Sequence, residues 1–218
     1  MYIPEHFRVR RDAEAVAFMR ANPFAILIST TGAGPFATHL PLSIREEQDK
    51  LLLHGHVAKA NPHWRYLEEQ TQCLTIFHGP HAYISPTNYL ARESVPTWNY
   101  AAVHVYGEAR LFSAEHDVHQ MLGELIESFE PAYRDQWETL SPTFRENMLR
   151  QIVGFEIVAT KIEGKFKLSQ NRPRQDQSNV IGALEQSQDS AVSGVADMMK
   201  NEQPADANHE PENKSGKE

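Results

Sequence analysis

Leu51-Leu52-Leu53-His54-Gly55-His56-Val57-Ala58-Lys59-Ala60-Asn61-Pro62 runs from an apolar strand through a short polar link into the start of a helix. Leu51 to His56 reads as a strand, and Asn61-Pro62 supply an N-cap and a first-turn proline for a helix through Glu69. Upstream, the apolar and β-branched run Phe24 to Thr30 suits a buried strand. The turn Thr31 to Pro35 joins it to a second strand from Phe36 to Ile44, and the polar stretch Glu46 to Lys50 is a second turn. Downstream, strands are expected at Gln72 to His78 and at Ala101 to Phe112. Strands first and helices later argue an α+β chain whose barrel is nearly complete by residue 112.

Helices surround this core. Asp12 is placed to cap a short helix through Asn22, which Pro23 ends. Ser113 caps another, in which Val118, Met121, Leu122, Leu125, Ile126 and Phe129 form a one-sided apolar stripe directed at the core. Ser141-Pro142 opens a helix to about Gln151, and Gly154 to Ile162 alternates as a late strand returning to the sheet. After Arg174 the spacing of Val180, Ile181, Leu184, Val192, Val195 and Met198 suits one or two amphipathic helices. From about Glu202 no apolar residue larger than alanine occurs, so disorder is expected there. Three segments follow: a barrel domain over 1–174, a helical segment over 175–201 and a tail over 202–218.

The net charge is −8, of which residues 201–218 carry −3 and the remaining body −5. An acidic body repels a polyanion at long range. The strongest basic cluster, Arg8, Arg10 and Arg11, is small, and no helix-turn-helix or basic recognition helix is evident. The single cysteine, Cys73, lies in an apolar run and reads as a buried structural thiol, with no disulfide framework within one chain. No signal peptide and no apolar run of bilayer length is apparent, so a soluble cytoplasmic protein with no membrane association is expected.

Seven of the eleven histidines fall between His39 and His104. His54 and His56 point to one face of a strand, yet Cys, Asp and Glu ligands are missing at useful spacing, so no metal site is assigned. Histidines at strand ends more often hydrogen-bond backbone or ligand oxygens, and one would suffice to ligate a haem. Gly55 to Pro62 brings a strand end, Lys59 and a helix start together, which suits an anion and equally suits a solvated lysine beside an ordinary cap. Val95-Pro96-Thr97-Trp98-Asn99-Tyr100 places two aromatics in a connection between strands, as core plugs, interface anchors or stacking partners of a flat ligand. Gly164 to Arg172 is a basic run after the late strand, a third candidate and equally a surface turn.

Several of these stretches resemble the PaiB-like FMN-binding negative transcriptional regulators of bacteria. The resemblance runs from Met1-Tyr2-Ile3-Pro4 through His54 to Pro62, Phe77 to Pro86 and Val95 to Tyr100, and on to Lys167-Leu168-Ser169-Gln170-Asn171-Arg172. It implies an α+β fold: an FMN-binding split β-barrel with Greek-key, mixed antiparallel strands, peripheral helices and a C-terminal helical extension. It also implies a homodimer with FMN at the subunit interface. By position, Thr38, His39 and Leu40 fall on the strand along the flavin ring, and His56, Lys59 and Asn61 fall at its phosphate. Trp98, Asn99, Tyr100, Lys167, Gln170 and Arg172 look like the partner-subunit side of the pocket. Thr38 stands where the pyridoxamine-phosphate oxidase branch has an arginine-rich strand pair, which argues against that activity. The implied function is negative regulation of transcription through DNA or a protein partner. A flavin-dependent oxidoreductase and a haem-binding barrel remain as alternatives, and no catalytic residue is assigned.

Overall fold

The computed structural model describes residues 1–112 and 114–202. Seven strands form one sheet in the order β2-β1-β5-β6-β7-β4-β3. They are β1 (Phe24–Thr31), β2 (Gly34–Pro41), β3 (Ser43–Glu47), β4 (Lys50–Ala58), β5 (Gln72–Ile84), β6 (Thr97–Leu111) and β7 (Ile152–Lys167). The helices are α1 (Asp12–Ala21), α2 (His63–Glu69), α3 (Glu115–Phe129), α4 (Tyr133–Thr139), α5 (Pro142–Leu149), α6 (Arg174–Glu185) and α7 (Ser190–Glu202). The α+β class expected from the sequence is the fold found, a split β-barrel with peripheral helices.

The segment expected as one strand, Phe36 to Ile44, is two. β2 pairs antiparallel with β1 from Thr31↔Gly34 to Phe24↔Pro41, and β3 pairs with β4 from Ser43↔His54 to Glu47↔Lys50. The chain changes neighbour across Pro41, Leu42 and Ser43. Proline brings no N–H to a ladder, and the next amide, Leu42 N, donates instead to Pro23 O at 3.0 Å. Since β2 and β3 are the two ends of the strand order, this one-residue break joins the sheet's edges and closes the barrel. Leu42 is fully buried at the closure, where a Cβ on Gly55 would lie 2.5 Å from its Cδ2. The β3–β4 turn has two central residues, Gln48 and Asp49, both at positive φ, as a two-residue hairpin loop requires.

Several boundaries differ from the expectations. The barrel is incomplete at residue 112, because β7 must insert between β6 and β4. β5 and β6 run on through Gly79-Pro80 and back to Thr97, so Trp98, Asn99 and Tyr100 lie in a strand rather than in a connection. β7 likewise absorbs Gly164 to Lys167, and Lys165 there is buried. Asp12 lies in the first turn of α1 rather than at its cap, which is Arg11 with no side-chain bond. Ser113, the expected cap of α3, lies outside the described residues, as does the tail from 203 onward. Ser141 does cap α5, accepting from Phe144 N at 3.3 Å. In the α3 stripe Met121 and Leu125 are buried, but Phe129, the last residue of the helix and expected to face the core, is 48% exposed. α4 had no strong sequence signal.

The chain divides into two compact units, Met1–Gly79 with Ala101–Phe166, and Pro80–Tyr100 with the chain from Lys167 onward. The first holds the barrel core, including Leu27, Leu40, Leu53, Phe77, Val103, Phe155 and Ile157. α3 lies on β7 at Gly154, where a Cβ would meet Phe112 and Met121. In the second unit α6 and α7 bury Val180, Leu184, Val195 and Met199. Among the described residues no helix is long and apolar enough to cross a membrane.

Gly107 on β6 lies close against the backbone of β7. A Cβ there would lie 2.5 Å from Ile157 Cγ2 and 2.7 Å from the backbone oxygen of Val158. Backbone cannot swing aside, so Gly107→Ala is expected to destabilise the protein by about 1–3 kcal/mol. Urea unfolding followed by tryptophan fluorescence measures it.

Candidate functional site

Alternation along β2 sorts the ring-strand candidates. Thr38 and Leu40 face inward with Phe36, whereas His39 points outward and is exposed. His39 stacks on the exposed ring of Phe24 at 6.3 Å, a pair on the outer face of β1 and β2. Thr38 turns instead toward the first turn of α2. Its Oγ1 accepts from Asn61 Nδ2 at 3.2 Å and lies 2.7 Å from His63 Nδ1.

His63 is wholly buried and continues the chain of bonds, with Nε2 at 3.0 Å from Ser29 Oγ on β1. Phe36 packs edge-on against the imidazole at 5.2 Å. Burial with only hydroxyl partners disfavours a charged ring, and the His63 pKa is pushed down to about 4 by desolvation. The imidazole therefore works as a neutral link, one nitrogen donating and the other accepting. Asn61 does not occupy the N-cap position expected of it. Pro62 does, and Asn61 sits one residue earlier with its Oδ1 accepting from His63 N at 3.0 Å. Both ends of the Asn61 amide thus make one bond inside the protein, and Nδ2 keeps a second hydrogen.

The link between β4 and α2 is pinned through its backbone as well. Lys59 N donates to Gln151 O at 2.7 Å, and Lys59 O accepts from Trp64 Nε1 at 3.0 Å. Its side chain is exposed and forms no ion pair among the described residues. Nearby on β4, His56 Nδ1 is buried with no hydrogen-bond partner, and burial lowers the pKa of this ring. β7 pairing continues to Ala58↔Ile152, whereas β3 pairing stops at His54↔Ser43, so His56 to Ala58 extend past the end of β3.

The second group of candidates lies in the second unit. Trp98 is 53% exposed and forms an aromatic cluster with Tyr83 and His81, at ring distances of 6.2 and 5.9 Å. Asn99 is completely buried, donating to Ser169 Oγ at 2.9 Å and approaching Met199 Sδ at 3.6 Å. Lys167 Nζ donates to Trp98 O at 2.5 Å and to Thr97 Oγ1. Gln170 Oε1 accepts from Leu168 N at 2.8 Å, and Ser169 between them takes a positive φ of 63°. The Arg172 guanidinium stacks 4.2 Å from the Tyr89 ring centroid. Tyr100 is half-buried on β6. Most of this group braces its own unit, and Trp98 is its exposed member.

His54 holds a cluster that sequence reading did not anticipate. Its Nδ1 lies 3.1 Å from Glu124 of α3 and its Nε2 2.9 Å from Glu156 of β7, while Arg110 reaches the other oxygen of Glu156 at 2.9 Å. Arg45 NH1 meets Glu124 at 2.5 Å. These groups line a cavity of about 320 Å³, in which Arg45, Arg110, Glu124 and Glu156 are paired with one another or with His54. The cluster bolts α3 to the barrel. Among the described residues no group of three or more His, Cys, Asp and Glu stands so as to hold a metal ion.

Known proteins resemble this chain at several levels. The family model described as "Putative FMN-binding domain" matches residues 1–161. Protease synthase and sporulation protein PAI 2 of Bacillus subtilis is 40% identical over 203 residues, covering 92% of this chain and 97% of that one. Among solved structures, the flavocytochrome Anf3 from Azotobacter vinelandii aligns with a TM-score of 0.57 at 18% identity, over 76% of this chain and 72% of its own. The FAD and haem binding protein from Mycobacterium smegmatis also gives 0.57, at 15% identity, over 73% of each chain. At such identities the two structures speak for the fold.

His63 gives the site a pH signature. Its folded pKa of about 4 lies below the ordinary value of 6.5, so the stability it confers is complete above pH 6.5 and is lost as pH falls toward 4. His63→Gln, which keeps hydrogen bonding without titrating, is expected to flatten that part of the curve. Urea midpoints at intervals between pH 7 and 4 measure the difference, and parallel curves for the two proteins contradict it.

Proposed function

This chain belongs to the FMN-binding domain family, together with the PAI 2 protein of Bacillus subtilis, and from that premise we propose that it is an FMN-binding regulator of transcription that works as a homodimer. The observation that carries the flavin assignment is the Lys59 ammonium, exposed and without an ion pair among the described residues, on the short pinned link between β4 and α2. A phosphate monoester needs a cation and directed hydrogen-bond donors, and Lys59 offers the cation. The fit is to the phosphate. Lys59 supplies the charge, Asn61 keeps a second amide hydrogen that a ligand oxygen would accept, and His56 borders the same segment.

Bound flavin supplies reversible electron and hydride chemistry, and the protein contributes binding and orientation. The strand carrying Thr38, His39 and Leu40 is read as the ring's support. Trp98 with Tyr83 and His81 is read as an aromatic face for the second subunit, since large exposed aromatics clustered on one surface mark contact sites. A role in gene control is suggested by the kinship with a sporulation protein. The acidic body favours action through a protein partner or a short-range DNA contact over broad attraction to nucleic acid.

Freshly purified protein is expected to show the two-band flavin spectrum, or to acquire it on addition of FMN. Lys59→Ala is expected to weaken FMN retention about tenfold, in line with the loss of one charge-assisted hydrogen bond. Retention equal to the wild type would remove Lys59 from the site. Light scattering is expected to give twice the 24.8 kDa chain mass. A gel shift with promoter and random DNA across a salt series separates direct repression from action through a partner.

A further inference from the structure

Lys59 is the exposed end of a buried construction. Its carbonyl is fixed by the Trp64 indole and its amide by Gln151, and two residues on, Asn61 is clamped between Thr38 and the His63 amide. His63 ties that clamp to β1 through Ser29 and to β2 through Thr38. We propose that His63, acting through Thr38 and Asn61, is a positioning residue for Lys59 and thereby sets how strongly the protein prefers a phosphorylated flavin over an unphosphorylated one. The proposal rests on the assignment of Lys59 to the flavin phosphate made above.

The physical reasoning concerns entropy. A lysine on a loose loop must lose both loop and side-chain freedom when it captures an anion, whereas one on a pinned loop loses only side-chain rotamers. The four-residue chain Ser29, His63, Thr38 and Asn61 supplies the pinning without charge. Asn61 Nδ2 can only donate, so Thr38 Oγ1 accepts there and keeps its own proton and a second lone pair for His63. A neutral imidazole matches either arrangement, and a hydroxyl on each side satisfies it. The low pKa of the ring keeps this chain intact throughout the physiological range. α2 has only seven residues, so its terminus adds little on its own, and the side-chain brace must do the ordering.

The test is a comparison of FMN with riboflavin, which share the ring system and differ by the phosphate. Affinities are read from fluorescence titrations of the full chain. His63→Leu is expected to weaken FMN about fivefold to tenfold, the loss of one to two net hydrogen bonds of ordering, while riboflavin affinity stays within about twofold. His63→Gln should recover part of the loss. In a Lys59→Ala background, His63→Leu should leave the FMN to riboflavin ratio unchanged, because the group it positions is gone. Ser29→Ala removes the hydroxyl at the other end of the imidazole, on β1 rather than on the ring strand, and is the second route should His63→Leu fail to fold.

Equal weakening of both flavins by His63→Leu and Ser29→Ala would mean that the brace only stabilises the barrel, and the proposal is then overturned. A wild-type ratio in Lys59→Ala instead overturns the phosphate assignment beneath it. A wild-type protein that takes up neither flavin removes the proposed function itself, and with it this inference.

Discussion

Everything in the first unit depends on the change of hydrogen-bond neighbour at Pro41-Leu42-Ser43. A seven-strand sheet left open would present two long edges. Here the two end strands are consecutive in sequence and separated by one buried leucine, so the edges become a continuous ribbon. Proline at position 41 stops the β1 ladder, and Leu42 secures the corner by donating to Pro23 and filling the space above Gly55. A side chain on Gly55 would enter that space. The same closure brings the end of β4 past the end of β3, which leaves His56 to Ala58 beyond the last β3 pairing.

The corner also explains why the polar brace lies where it does. β1 and β2 present Ser29 and Thr38 on their inward face, and α2 follows β4 closely enough to set His63 between them. Such a network in a core is costly unless every member is satisfied. Each member is: two hydroxyls, one imidazole and one amide exchange bonds at 2.7 to 3.2 Å. The loop that follows β4 is therefore held by side chains rooted in three different elements rather than by its own short turn.

Much of the barrel was legible because its signals are local. Alternation and β-branching marked β1, the turn at Glu46 to Lys50 marked a hairpin, and Ser141-Pro142 marked a helix start. Strand ends were less legible. Gly79-Pro80 looks like a terminator, yet β5 passes through it, with Gly79 lying against the ring of Phe18 where a Cβ would be 2.7 Å away. The closure at Leu42 was marked locally by Pro41 alone, and one proline does not tell a strand that ends from a strand that changes neighbour. Of the candidate site, Lys59 was visible as a cation between a strand and a helix. His63 was not, because its significance lies in Ser29 and Thr38, 34 and 25 residues away, and no spacing rule links them.

Two buried histidines in the same unit show how partners decide what a ring can do. His54 lies between two carboxylates, Glu124 at Nδ1 and Glu156 at Nε2. It belongs to an ionic cluster with Arg45 and Arg110, suited to fastening α3 against the sheet. His63 lies between two hydroxyls, and protonation would leave a buried cation with no counter-charge. A charged brace at this place would vary with pH, whereas a neutral one holds the loop in the same way across the physiological range. The distinction follows from one substitution of partner chemistry, carboxylate for hydroxyl, at sites of similar burial.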